Sequence, residues 1–315
     1  MNTTILNNRT MGYFQLLRPP NIPTAWADIL AGYAIAGASA SVSSLLWLIL
    51  ATTGLYGGGV VFNDVFDAEL DAKERPERPI PRGAVSRQEA TILGSLLLIV
   101  GVVAAGQVSV VSVVLAGLIA IATLVYDSTA KHHTVFGPLT MGFCRAGNLL
   151  LGISIVPTIF TSLIAEGFSL IHPTYLAIIP ILYIGAITAI SQGEVYGGSR
   201  RTGQISVALM GVVIAILLGC AIDAVASVAK PIASPDQISA LLFVALLAWR
   251  IFPPFIQAAA NPEADLIRSA VKAGILSLII VNATLAACFA GGIYGVLVLA
   301  LLPLSLGLAR LFAMT

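Results

Sequence analysis

The residues best equipped for chemistry lie in one short stretch, Asn63-Asp64-Val65-Phe66-Asp67-Ala68-Glu69-Leu70-Asp71, which continues through Lys73 to Arg78-Pro79-Ile80-Pro81-Arg82-Gly83. If the apolar helix before it runs on, Asp64, Asp67 and Asp71 recur at i, i+3 and i+7 and share one face. Carboxylates so placed repel one another, and a divalent cation removes that cost. Mg²⁺ takes oxygen ligands, usually one or two carboxylates together with substrate phosphate oxygens and water. The stretch therefore suits a metal-bound diphosphate, with Asp64, Asp67 and Asp71 as metal ligands. The plainer alternative is a charged, solvated loop. The regular spacing, the leading Asn63 and the abrupt Arg-Pro-Ile-Pro-Arg-Gly exit weigh against it.

The elements that hold this stretch are made for lipid. Of the 315 residues, 58% are apolar and 10% charged, against about 25% charged in soluble domains. Apolar segments of the length that crosses a bilayer are expected at Ile22–Ala38, Ser44–Phe62, Ala90–Ala105, Val108–Tyr126, Gly137–Val156, Thr174–Ile190, Ile205–Val225, Ile238–Ile256, Ala270–Ala290 and Gly292–Phe312. The fold class is all-α, a polytopic membrane bundle forming a single domain over residues 1–315, with nine or ten spans. With this count, 15 of the 16 Lys and Arg fall on one side and Lys230 on the other. By the positive-inside rule that side is cytoplasmic. It carries the acidic stretch and the N-terminus of a multi-pass protein of the cell membrane. Met1–Leu17 has no basic-then-apolar pattern, so no cleaved signal peptide is expected. The net charge of +1 and the lack of a basic tract argue against a nucleic-acid partner.

Charged groups inside spans usually face a cavity. Arg145 and Asn148, at i and i+3, are candidate substrate contacts; a structural interhelical hydrogen bond is the alternative for Asn148. Asn21 and Asp28 share a face of the first span, with Asn21 a substrate contact and Asp28 a partner for Arg145. Asp223 reads as an interfacial carboxylate, and His132 with His133 as an interfacial basic patch. Cys144, Cys220 and Cys288 lack metal or disulfide spacing and read as small apolar fillers.

The stretch Asn63, Asp64, Asp67, Asp71 with Arg78 to Pro81 resembles the first motif of the UbiA superfamily of intramembrane prenyltransferases. Leu17-Arg18-Pro19-Pro20-Asn21 is similar to that family's entry to its first helix, and Tyr126 with Lys131 to its Tyr…Lys loop. The resemblance implies nine helices around a central cavity, whose charged end binds an isoprenyl diphosphate through Mg²⁺. Loss of pyrophosphate then leaves an allylic cation for a lipophilic acceptor to attack. Asp64, Asp67 and Lys131 are the implied catalytic residues. Asn21, Asn63, Arg78, Tyr126, Arg145, Asn148, Glu194, Arg200 and Arg201 are the implied substrate contacts.

A second acidic motif of that family is largely missing. Anchored on Arg200 to Gly203, its aspartates fall on Val195 and Ser199, and only Glu194 remains, one position off. Gly193 to Gly198 and Phe143 to Gly152 most resemble the UbiA-like branch called EboC. Two expectations follow. One is a Mg²⁺-dependent prenyltransferase in which Lys131, Arg200 and Arg201 meet phosphate charge directly. The other is a non-catalytic protein that binds or moves an isoprenoid on the same fold.

Overall fold

The computed structural model describes residues 2–38, 41–166, 172–226 and 235–312, and among these every regular element is helical. A helix α1 (Asn2–Leu17) precedes α2 (Ile22–Ile35) and α3 (Val42–Phe66). A short α4 (Ala68–Glu74) follows, then α5 (Arg87–Gly106), α6 (Val110–Ser128), α7 (Phe136–Ile153) and α8 (Thr158–Glu166). The remainder is α9 (Ile178–Ser191), α10 (Arg200–Ala226), α11 (Pro235–Ala260), α12 (Ala264–Ala290), α13 (Gly292–Leu299) and α14 (Leu301–Leu308). Among the described residues seven helices are long and apolar enough to cross a membrane, namely α3, α5, α6, α9 with its leading 3₁₀ turn, α10, the stretch Ile238–Ala260 of α11, and α12. Each expected span has a helix. The first is only 14 residues, however, and the last divides at Ala300 into two eight-residue halves. The count of nine or ten full spans therefore rests on helices shorter than a bilayer needs. Lys230, the one cation expected on the opposite face, lies outside the described residues.

Local sequence explains the helix ends that frame the site. Ser86 and Glu89 form a reciprocal capping box at the start of α5, with Ser86 N–H donating to Glu89 Oε2 at 2.9 Å. Ser41 and Ser109 cap α3 and α6 through their side-chain oxygens. In α1 and α8, helix covers stretches that lie outside the expected spans. The Gln15 side chain of α1 accepts from Arg82 at 2.6 Å, which ties it to the Arg-Pro-Ile-Pro-Arg segment.

Two apolar clusters build the bundle. One joins α3, α5 and α6; the other joins α9 to α13. Helices α2 and α7 contribute to both, Ala31 and Leu149 to the second, Ile29 and Leu151 to the first. These two helices touch backbone to backbone, since a Cβ on Gly32 would lie 2.5 Å from the Leu149 carbonyl and one on Gly152 2.6 Å from that of Ile29. Small residues are what permit this approach inside a membrane. The seam between the clusters is where the polar residues gather.

Candidate active site at the charged mouth of the bundle

A cavity of about 320 Å³ runs into the seam. Its mouth is lined by Arg18, Asn63, Asp67, Arg75, Arg78, Asp127 and Glu194, and its walls by Leu55, Ile119, Met141, Ile184, Ile187, Val271 and Ile275. Asn21, Thr52, Tyr56, Tyr126, Arg145 and Asn148 also line it. A second, polar cavity of about 450 Å³ adjoins the mouth and shares Arg18, Arg75, Arg78 and Glu194 with the first. A charged opening backed by an apolar chamber is the shape required by an amphiphile with an anionic head.

The acidic stretch does not form one continuous helix. α3 stops at Phe66, Asp67 sits at the joint, and α4 resumes at Ala68. Asp64 and Asp71 still meet at one guanidinium, that of Arg78, whereas Asp67 at the joint turns to a different cation. Asp64 accepts from Arg18 at 2.6 Å and from Arg78 at 3.3 Å. Asp71 accepts from Arg78 at 2.8 Å, and Asp67 forms an ion pair with Lys131 at 2.6 Å. Burial pushes the Asp71 carboxyl above its ordinary range, and Arg78 pulls it back. Among the described residues, no three or more His, Cys, Asp or Glu converge as a ready-made metal site.

Arg18 earns its place by conformation. It caps the short Pro19–Asn21 turn in the left-handed region, with φ 44° and ψ 61°. Such a backbone is uncommon for a side chain of this size, and it persists only where the surroundings hold it, here with the guanidinium on Asp64. Asn63 is fixed too, because its Nδ2 donates to Asp127 Oδ1 at 3.0 Å.

Deeper in the bundle, Asp28 is almost fully enclosed. Its Oδ2 accepts from Arg145 and from Asn148, both at 2.9 Å, and its Oδ1 from Asn282 at 2.6 Å. Arg145 also donates to Thr24 at 2.8 Å and lies over the Tyr56 ring at 5.1 Å. Thr52 donates to Asn148 at 2.7 Å. The expected pairing of Asp28 with Arg145 is thus present, and the interhelical bond of Asn148 coexists with its place on the cavity wall.

Residues 22–252 match the UbiA prenyltransferase family. The chain belongs to that family. This UbiA-family chain is 31% identical over 144 residues to a digeranylgeranylglyceryl phosphate synthase of Natronomonas pharaonis, across 46% of the chain and 52% of that relative. It is 27% identical over 237 residues to the synthase of the same name from Ignicoccus hospitalis, across 72% and 75%. The chain spans about half the length of the first curated relatives it matches. Among solved structures, a UbiA homologue of Archaeoglobus fulgidus bound to GPP and Mg²⁺ superposes with a TM-score of 0.57 at 18% identity, covering 92% of this chain and 99% of that one. A structure described as giving insight into digeranylgeranylglyceryl phosphate synthase in membranes reaches 0.60 at 19%, covering 90% and 99%. At such identities these likenesses establish the fold alone.

Within this UbiA-family site the expected residues divide. Asn21, Asn63, Asp67, Arg78, Tyr126, Arg145, Asn148 and Glu194 all line the first cavity, and Asp64 the second. Lys131 reaches the mouth through Asp67. Arg200 and Arg201 do not join them. Both are exposed in the first turn of α10 and line neither cavity. The reason is local: α10 packs against α11 through Gly203, where a Cβ would lie 2.6 Å from Ala259 Cα, and its first turn lies outside the mouth. The arginines that line the first cavity are Arg18, Arg75 and Arg78 at the mouth and the deeper Arg145.

At the eroded motif, Val195 is exposed and the Ser199 hydroxyl accepts from Thr202 N–H at 3.1 Å. Glu194 lines both cavities, and its Oε1 is buried with no hydrogen-bond partner. Burial raises its carboxyl above the ordinary range, while the charges of Arg75, Arg268 and Arg18 draw it down. Tyr196 donates to Glu74 Oε1 at 3.1 Å and so links this loop to α4 across the mouth.

His133 proves to be a helix cap, its Nδ1 accepting from Val135 and Phe136 N–H at 3.3 Å. Sequence reasoning missed Arg75, Asp127 and Arg268 as members of the mouth. For Asp127 a signal was present, since it falls at i−4 from Lys131 in the Tyr…Lys loop.

Proposed function

We propose that this protein transfers an isoprenyl group from an isoprenyl diphosphate to a lipophilic acceptor, with Mg²⁺ as cofactor, at a mouth facing the cytoplasm of a cell membrane. The observation that carries the reading is the junction of a carboxylate and arginine cluster with an apolar chamber in one continuous cavity.

The donor set fits Mg²⁺. Asp64, Asp67 and Asp71 offer oxygen only, the donor type of a metal that is held by one or two carboxylates together with phosphate oxygens and water. When bound, the ion neutralises charge building on the departing pyrophosphate. Arg18, Arg75, Arg78 and Lys131 supply further positive charge at fixed positions around that leaving group. Leu55, Ile119, Ile184 and Ile187 hold the isoprenyl chain and exclude water from the allylic cation. The Tyr56 and Tyr126 rings border the same space and offer π-faces to a cation. The relatives named for digeranylgeranylglyceryl phosphate synthesis favour a long isoprenyl donor and a glycerol-derived acceptor.

The exposed Val195 and the capping Ser199 favour a second reading, in which the protein binds or carries an isoprenoid without turning it over. Purified protein in lipid vesicles, given geranylgeranyl diphosphate, Mg²⁺ and a membrane lipid extract, separates the two. Release of pyrophosphate that EDTA abolishes supports transfer. Metal-dependent binding without release establishes the carrier, and absence of binding removes both.

A further inference from the structure

The outward side of α11 carries a charge where lipid should lie. Its inward side is apolar and buried, through Phe243, Leu247, Ile251 and Phe255. Arg250 is exposed on the outer side, next to Trp249, which is 70% exposed. It stands twelve residues from Ile238 and ten from Ala260, the ends of the spanning stretch. At 1.5 Å per residue the nearer end is about 15 Å away, which sets Arg250 midway through a hydrocarbon core about 30 Å thick. Arginines near helix ends escape by snorkelling to the interface, and Arg250 is not near one. None of the hydrogen bonds, ion pairs or ring contacts among the described residues involves it. Arg145, deep in α7, is by contrast held by Asp28.

Two further features make the same surface polar. Gln257, two helical turns on, shares this flank and is also exposed. Pro253 and Pro254 lie inside the helix and have no N–H, so the carbonyls of Trp249 and Arg250 lose their ordinary helix bond. At membrane depth such groups are tolerated where protein or a water-filled cavity surrounds them. Arg250 lines neither cavity, which leaves protein.

We propose that this flank of α11 docks a membrane-spanning helix of another protein, one that carries a carboxylate at mid-depth opposite Arg250. Charge complementarity sets the partner's chemistry, because an acid alone in the bilayer is costly as well and pairing relieves both groups. A second copy of this chain has no such acid to offer. Of its 15 acids, all but Asp28 lie in loops, in the short helix α4, or in the first or last turn of a helix. Asp28 is 1% exposed and taken by Arg145. Lipid phosphates lie outside the hydrocarbon core, too far from this depth to serve. Docking here is independent of the diphosphate reading.

The test uses the full chain, labelled with a donor fluorophore, in phosphatidylcholine vesicles. Two synthetic polyleucine spans carry the acceptor fluorophore, one with a central Asp and one with Leu in its place. Energy transfer should show the Asp span bound about tenfold more tightly than the Leu span, the scale of one interhelical polar contact in lipid. Arg250→Leu should remove that preference, and Arg250→Lys should keep part of it. Both variants should melt like wild type in detergent, because Arg250 is exposed. Comparing the two spans on wild type needs no variant at all, and equal binding there overturns the docking site. So does a preference for the Asp span that Arg250→Leu retains, since the acid then pairs elsewhere. Energy transfer between copies of the chain itself, lost in Arg250→Leu, gives the flank to a second copy and overturns it as well.

Discussion

The mouth and the deep floor of the cavity are made from the same materials, aspartate against arginine, yet they are finished differently. On the floor, both oxygens of Asp28 are taken by three donors from α7 and α12, and the residue is 1% exposed. At the mouth, Asp67 has a single ion-pair partner, Arg78 is shared between two acids, and Glu194 and Asp127 each keep a buried oxygen without a partner. A saturated network in a low-dielectric setting fixes structure, and a partly satisfied one has capacity left for a ligand. The floor therefore holds α2, α7 and α12 together and sets the depth of the chamber, while the mouth does the binding.

The difference can be broken from either end. The largest effect is expected at the floor. Arg145→Met leaves Asp28 buried without its cation and should cost about 3–5 kcal/mol, read as a collapse of the melting temperature in detergent. Adding Asp28→Asn should restore part of it. If Arg145→Met melts like wild type, the floor is not structural. Next comes Asp67→Asn, which should lower turnover about a hundredfold or more, the scale of one lost preorganised charge contact, and also lower the melting temperature, because it leaves the buried Lys131 without its partner. A third test concerns Glu194. Because burial raises its carboxyl, the folded state prefers the protonated form, and stability is lost as pH rises through that raised value. Glu194→Gln should thus melt no lower than wild type at neutral pH, and its advantage should shrink as pH falls; an advantage that grows on acidification refutes the assignment. The smallest effect is expected for Arg200→Gln and Arg201→Gln, exposed and outside both cavities. Each should stay within about 0.5 kcal/mol of wild type and keep full turnover.

Much of this contrast was legible in the residues. Apolar length placed a helix at each expected span, because lipid leaves the backbone no alternative. The polar positions Asn21, Asp28, Arg145 and Asn148 stood out against apolar surroundings, and all join the seam. The bend at Asp67 did not show, because no Pro or Gly marks it. The partners of the acidic stretch were hidden for another reason: Arg18 and Lys131 lie 46 and 64 positions from their aspartates, and only packing unites them. The exposure of Arg200 and Arg201 outside both cavities was not legible, because charge at a helix start tells nothing of which way the first turn faces. Helices α1 and α8 were invisible to a search for spans, being too short or too polar to cross.

The central claim is that the acidic stretch and its cations, rather than the second loop, form the diphosphate site. The most direct measurement is Mg²⁺-dependent pyrophosphate release from geranylgeranyl diphosphate in lipid vesicles, comparing wild type, Asp67→Asn and Arg200→Gln side by side. Release by wild type and Arg200→Gln, with loss in Asp67→Asn while that variant remains folded at the assay temperature, is the predicted result. Release that survives in Asp67→Asn and vanishes in Arg200→Gln would contradict it and move the site to the other loop.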